Sequence, residues 1–225
     1  MVWSDFGQLA SAVLLMIGGL LPVVNPLSDA PIFLRMTPGC DESTRAALAK
    51  RIAFYSFFLL LGSMLVGSSV LQLFGLSIPV VQVAGGAVVC ALGWKILAAE
   101  NPKPADETTD SIHANAIALG RAFSPLTMPM TIDAGVVSVA ITVGANHART
   151  IEIVLIQWLA ATICAAIIAT AIFLTYRYAD WIGRRIGRTG MIVVVRLSAF
   201  IMLCVGVGIT WNGVRSLLAE IGIPG

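Results

Sequence analysis

A chain of 225 residues that is 58% hydrophobic and only 12% charged is not a soluble globular domain, since soluble domains carry about 25% charged residues. The mean hydropathy of +0.91 points to a lipid solvent. The formal net charge of +2 says nothing about nucleic acid, because the basic residues serve another purpose described below, and no nucleic-acid partner is expected. With about 20 apolar residues needed per bilayer crossing, six spans and short connections use up the chain, and residues 1–225 are read as a single transmembrane domain.

The apolar stretches run over residues 8–36, 52–74, 79–98, 122–143, 151–176 and 191–214. Residues 1–10 hold no Lys or Arg, so the first stretch reads as helix one rather than as a signal peptide. The first connection, 37–51, carries Asp41, Glu42, Arg45, Lys50 and Arg51. The second, 75–78, is a tight turn, and residues 100–110 form an acidic, Pro-containing central linker. The fourth, 146–150, is short, and the fifth, 177–188, carries four arginines. Arg35, Arg45, Lys50, Arg51, Lys103, Arg121, Arg177, Arg184, Arg185 and Arg188 fall on one side of this layout, against Arg149 and Arg215 on the other. Ten against two places the first group in the cytoplasm and both chain ends outside it.

A repeat is visible within the chain. Asn25-Pro26-Leu27-Ser28 returns as Ser124-Pro125-Leu126-Thr127 at an offset of 99 residues, each time a small polar residue, Pro, Leu and a hydroxyl. The same offset lays the second span on the fifth. The repeats cover about 1–105 and 111–225, three helices each. Because three is odd, tandem units enter the membrane in opposite senses, as in inverted-repeat transporters. The expected fold is therefore all-α, with six transmembrane helices in two inverted three-helix repeats.

Proline in a membrane span frees backbone groups that something must satisfy. Pro22, Pro26 and Pro31 lie in the first span, and Pro125 and Pro129 in the fourth. In both, a residue suited to N-capping, Asn25 or Ser124, precedes a proline suited to the first helical position. The first and fourth helices are expected to break there and restart, each presenting free N–H groups and a positive dipole end to an anionic group. Asp29 follows the first motif and Asp133 the second. A carboxylate inside the bilayer normally faces a cavity or a partner, so both are candidates for proton coupling or for holding a substrate ammonium.

Other features are read as structural. Cys40, Cys90, Cys164 and Cys204 form no C-x-x-C pair and three lie in apolar runs, which fits buried thiols. His113 and His147 are isolated, so no metal site is expected, and no cofactor. Gly18, Gly19, Gly62, Gly67, Gly85, Gly86, Gly206 and Gly208 are expected to permit close helix contacts. Trp3, Trp94, Trp158, Trp181 and Trp211 read as interface anchors. The run from Arg177 to Arg188 is mainly a topology signal, with binding to anionic lipid as an additional reading.

At the two motifs the sequence resembles MarC-type membrane proteins. Asn25-Pro-Leu-Ser-Asp-Ala-Pro-Ile-Phe-Leu-Arg-Met-Thr37 looks like the family's N-P-hydrophobic-G-x-x-P-x-F-L-x-x-T. Pro125-Leu-Thr-Met-Pro-Met-Thr-Ile-Asp-Ala-Gly135 looks like its P-L-x-x-P-L-x-x-G-P-G, and Leu73 to Gly86 is similar to its third helix. The resemblance implies a bundle with helices one and four broken, grouped with small neutral amino acid transporters that couple alanine and glycine uptake to protons. It implies substrate binding at Asn25, Pro26, Ser28 and Pro31, with Pro125, Thr127 and Pro129 opposite. The residues themselves add Ser124, Asp29 and Asp133. Ser28 stands where glycine is usual, Asp133-Ala134-Gly135 replaces G-P-G, and Asp29 is acidic where a small or amide residue is common, so this chain carries extra negative charge beside the site.

The leading expectation is a secondary transporter in the inner or plasma membrane, moving a small zwitterionic solute by alternating access with the proton as coupling ion and no covalent chemistry. An exporter of cations or metals using Asp29 and Asp133 is the alternative within transport, and a structural or signalling membrane protein the alternative outside it. An intramembrane aspartyl enzyme fits poorly, because Asp29 sits in a Pro-bracketed motif rather than on a continuous helix. Partners are the lipid bilayer, the solute and the proton, with homo-oligomer formation left open.

Overall fold

The computed structural model describes residues 2–98, 119–145 and 151–220, and every regular element among them is helical. In order these are α1 (Val2–Val24), α2 (Pro26–Met36), α3 (Glu42–Leu73), α4 (Ile78–Ala98), a wide-turn segment (Ala122–Thr131), α5 (Ala134–Gly144), α6 (Ile151–Arg177) and α7 (Ala179–Glu220). The predicted connections at 100–110 and 146–150, with His113 and His147, lie outside the described residues.

Five stretches are long and apolar enough to cross a membrane: Gly7–Leu34, Glu42–Leu73, Ile78–Ala98, Val154–Arg177 and Thr189–Ala219. The predicted fourth span differs from these. Its only regular α-helix is α5, whose 11 residues rise about 16 Å, roughly half of a hydrocarbon core. The wide-turn segment supplies the rest of its length.

The helices also outrun the apolar stretches from which they were predicted. α3 begins at Glu42 rather than near residue 52, because Asp41 caps it, accepting from the Thr44 N–H at 2.9 Å and the Ser43 hydroxyl at 2.9 Å. Bonds from Thr44, side chain first and then backbone, hold the Asp41 carboxyl below its usual range. Hydropathy marks where lipid starts, whereas a cap marks where the helix starts. The predicted turn at 75–78 is present. Gly75 takes a φ of 69° there and the Leu76 N–H reaches back to the Leu71 carbonyl at 2.9 Å, the closure of a helix by a left-handed glycine.

The bundle is packed inside and greasy outside. α3 buries Leu48, Ile52, Ser56, Leu60 and Met64 along one stripe, while Phe54 and Phe58 on its other side are 59% and 54% exposed. α6 lies at the centre, with Ala161, Cys164, Ala165, Ile168, Ile172 and Tyr176 buried against α1 and α3. Exposed side chains of this size are at home in hydrocarbon and not in water. At one end, Arg45 pairs with Asp180 at 2.5 Å, Arg177 with Glu42 at 2.9 Å, and Arg51 reaches the Leu119 carbonyl at 3.2 Å. Residues flanking the first, third and fifth connections thus meet at the same end, as the sequence layout requires.

Among the described residues α4 and α7 pack along the most extensive helix pairing, and glycine makes their close approach possible. A Cβ on Gly206 would stand 2.8 Å from the Cys90 nitrogen and 2.9 Å from the Gly86 carbonyl, so backbone lies against backbone. Gly67 and Gly85 likewise face Ile141 and Ser138, and Gly19 makes an ordinary contact with Val143 at 3.4 Å. Gly18, Gly62 and Gly208 face open space, so these three are not packing glycines. Because neither backbone at the crossing can yield, Gly206→Ala is expected to lower stability by about 1–3 kcal/mol. Gly208→Ala is expected to leave it unchanged or slightly raised. Thermal unfolding midpoints of the two variants in detergent check this.

Candidate functional site

The first break falls where the sequence places it. Asn25 adopts left-handed backbone angles, φ 43° and ψ 60°, and Pro26 opens α2 at its first position. Asn tolerates this conformation better than most residues, and Pro26 lacks the N–H that a helix start leaves idle. The Asn25 side chain does not cap α2. Its Nδ2 donates to the Ser28 hydroxyl at 2.8 Å, so the N-terminus of α2 carries no side-chain cap.

The second break is built differently. The Ser124–Pro125 peptide is cis. Ser124 (φ −123°, ψ 124°) and Met128 (φ −124°, ψ 120°) are both extended, because each precedes a proline that disfavours helical angles. Between them the chain winds in wide turns, with the Leu126 N–H bonded to the Arg121 carbonyl at 3.3 Å and the Ile132 N–H to the Thr127 carbonyl at 2.8 Å. Hydroxyls add further bonds to two carbonyls of these turns. Thr127 Oγ1 donates to the Ala122 carbonyl at 2.7 Å and Thr131 Oγ1 to the Leu126 carbonyl at 2.8 Å. This explains why threonine recurs in the segment: each one satisfies a carbonyl five residues back.

The α-helix therefore resumes at Ala134 and not at Pro125. Its cap is Asp133, whose Oδ1 accepts from the Val136 N–H at 2.8 Å. Ser124, expected to cap the restarted helix, caps nothing and is exposed. The positive end of α5 is already occupied by the protein's own carboxylate. Of the two helix starts, only that of α2 lacks a side-chain cap.

α2, the wide-turn segment and α6 bring several of these residues together. Ser28, Thr127 and Thr131 are buried, 2%, 0% and 2% exposed, Pro26 is buried, and Asp29, Pro31 and Pro125 are half-buried. Pro129 lies in the same segment as Thr127. Asp29 and Asp133 lie within electrostatic reach of one another. At the centre stands Tyr176, which the sequence reading passed over as the last residue of a span. It is 1% exposed, and its ring stacks on Phe33 with centroids 4.8 Å apart and planes at 10°. Its hydroxyl lies 2.9 Å from Thr131 Oγ1 and 3.5 Å from Asp29 Oδ2, the latter at the outer edge of hydrogen-bond distance.

These contacts form a row: Asp29, Tyr176, Thr131 and the Leu126 carbonyl. With Asp29 neutral, every proton can point one way, from Asp29 to Tyr176, to Thr131, to the carbonyl, and each donor is used. With Asp29 ionised the direction reverses, since a carboxylate only accepts. Tyr176 then donates to Asp29, Thr131 donates to Tyr176, and the Leu126 carbonyl gives up its hydroxyl donor while keeping its place in the wide-turn backbone ladder. A hydroxyl bond of this kind is worth about 0.5–1.5 kcal/mol, so the protonation of Asp29 is felt at the backbone of the segment.

Residues 10–218 match the family described as MarC family integral membrane protein. The chain belongs to the MarC family. It is 27% identical over 198 residues to the membrane protein YvbG of Bacillus subtilis (strain 168), covering 88% of this chain and 92% of that one. It is 26% identical over 210 residues to the inner membrane protein MarC of Escherichia coli (strain K12), with the same coverage of each. No solved structure matches the chain at a significant level. MarC family membership makes this an integral membrane protein, which accounts for the exposed apolar side chains of the bundle.

Asp133→Ala removes the cap of α5 and is expected to cost about 1 kcal/mol of stability. Asp133→Asn keeps an acceptor in place and is expected to restore most of it, as thermal unfolding of the two variants in detergent checks.

Proposed function

We propose that this protein is a proton-coupled secondary transporter of a small zwitterionic solute, a neutral amino acid such as alanine or glycine, in the inner membrane. The observation that carries the reading is the hydroxyl row from Asp29 through Tyr176 and Thr131 to the Leu126 carbonyl. It ties the protonation of one broken helix to the backbone of the other, which is what coupling a proton to a conformational change requires.

The substrate fits the same place. The start of α2 has no side-chain cap and offers the Leu27 N–H and a positive dipole end to a carboxylate, the Ser28 and Asp29 N–H groups being bonded to the Asn25 carbonyl. Asp29, in the first turn of α2, offers its carboxylate to the ammonium. The two-carboxylate cation site is disfavoured, because Asp133 is engaged as a helix cap and hard cations want several free oxygens.

Alternating access has a physical basis in the asymmetry of the bundle. Next to Asp29 one end is closed in layers, first by the Phe33–Tyr176 stack and then by the pairs Arg45–Asp180 and Arg177–Glu42. The opposite end is indented by a cavity of about 270 Å³ lined by Met64, Ser68, Gln72, Gln157 and Trp158 among others. Helix packing agrees with two units that exchange under a pseudo-two-fold axis: α1 lies on α6 as the wide-turn segment and α5 lie on α3, and α4 faces α7. In this reading the arginine-rich end is cytoplasmic and both termini are outside.

The test is uptake of labelled alanine and glycine into proteoliposomes, with and without an imposed pH gradient. Wild type is expected to accumulate solute only with the gradient. Asp29→Asn is expected to abolish accumulation, Tyr176→Phe to lower it at least tenfold, and Asp133→Asn to retain it. Absence of uptake by folded wild-type protein would refute the amino acid assignment, and accumulation by Asp29→Asn would refute the role of that acid.

A further inference from the structure

At the arginine-rich end, α7 does not begin as part of its membrane span. Gly187, at φ 71° and ψ 171°, interrupts it, so residues 179–186 form a short helix set off from the apolar length Thr189–Ala219. That short helix is two-sided. Ala179 is buried and Asp180 pairs with Arg45, while Trp181 is 56% exposed and Arg184 and Arg185 are exposed.

Beside it lies a groove of about 620 Å³ with Leu174, Tyr178, Trp181 and Ile182 as apolar walls and Glu42 and Arg184 at its edges. Both exposed rings carry a guanidinium on their faces: Arg177 lies 5.9 Å from the Tyr178 centroid and Arg185 5.6 Å from that of Trp181. The acids nearby are engaged, Glu42 with Arg177 and Asp180 with Arg45. Among the described residues, Arg184 and Arg185 have no carboxylate partner. The patch is thus a greasy groove with Arg184 at its rim and Arg185 on the ring of Trp181 beside it, both without a carboxylate partner among the described residues.

We infer that this groove is a binding site for an anionic phospholipid, with an acyl chain along Leu174, Tyr178 and Ile182 and the phosphate between Arg184 and Arg185. Charge complementarity selects the headgroup, because the two arginines offer forked donors suited to phosphate oxygens. The apolar walls select a lipid over free phosphate, which has nothing to place in the groove. An aromatic ring at the level of the headgroups is where tryptophan is favoured in membranes. The inference depends on the protein's membrane embedding and not on what it transports.

Native mass spectrometry of the full chain in detergent tests it, with phosphatidylglycerol and phosphatidylcholine of matched acyl chains added in turn. Wild type is expected to retain phosphatidylglycerol preferentially, and Arg184→Gln/Arg185→Gln to lower that retention about tenfold or more. Lys50→Gln/Arg51→Gln removes the same charge elsewhere and is expected to leave it unchanged. Inorganic phosphate in excess is expected not to displace the lipid. Equal retention of the two lipids, equal loss in both double variants, no loss in either, or displacement by phosphate would overturn the site. Elution of each variant as a single species by size exclusion establishes that it is folded.

Discussion

The constraint on which the rest depends is that backbone groups freed inside a membrane must find partners within the protein. Prolines at 22, 26, 31, 125 and 129 interrupt two spans, and the local structure at both breaks supplies partners. Asn25 turns left-handed so that Pro26 can start a new helix. Thr127 and Thr131 lend hydroxyls to carbonyls of the wide-turn segment, and Asp133 closes the sequence of repairs by capping α5.

These repairs leave the two breaks chemically unequal, although they descend from the same sequence motif. α5 has spent its dipole end on its own aspartate, whereas α2 has an uncapped start with Asp29 one turn in. Tyr176 then joins the halves. It is held by its stack on Phe33, and its one proton can serve Thr131 or Asp29 but not both. The strength of such a switch comes from its burial, since hydrogen bonds are electrostatically stronger in a low-dielectric interior than in water.

Much of this was legible in the sequence, for reasons that are local. The break at Asn25-Pro26 needs only a residue that tolerates the left-handed region and a proline at a helix start. The second break was half legible: the chain does leave the helix at Ser124-Pro125, but a second proline four residues on keeps it from rewinding, so the cap falls to Asp133. The helix extensions past the apolar stretches were hidden, because hydropathy reports lipid contact and not hydrogen bonding. Tyr176 was invisible for another reason. It lies 147 residues from Asp29 and beside Arg177 at a span end, where a tyrosine ordinarily marks the membrane interface. Only tertiary packing turns it inward.

The central claim is that the proton on Asp29 sets the direction of the hydrogen-bond row that ends on the segment Ala122–Thr131, and with it the stability of that segment. Hydrogen–deuterium exchange of that segment, corrected for the intrinsic dependence of exchange on pH, tests it directly in wild type and in Asp29→Asn at mildly acidic and mildly alkaline pH. The expected result is protection that falls in wild type as pH rises and stays constant in Asp29→Asn, which keeps a neutral side chain throughout. Protection that ignores pH in wild type, or that falls equally in both proteins, would contradict it.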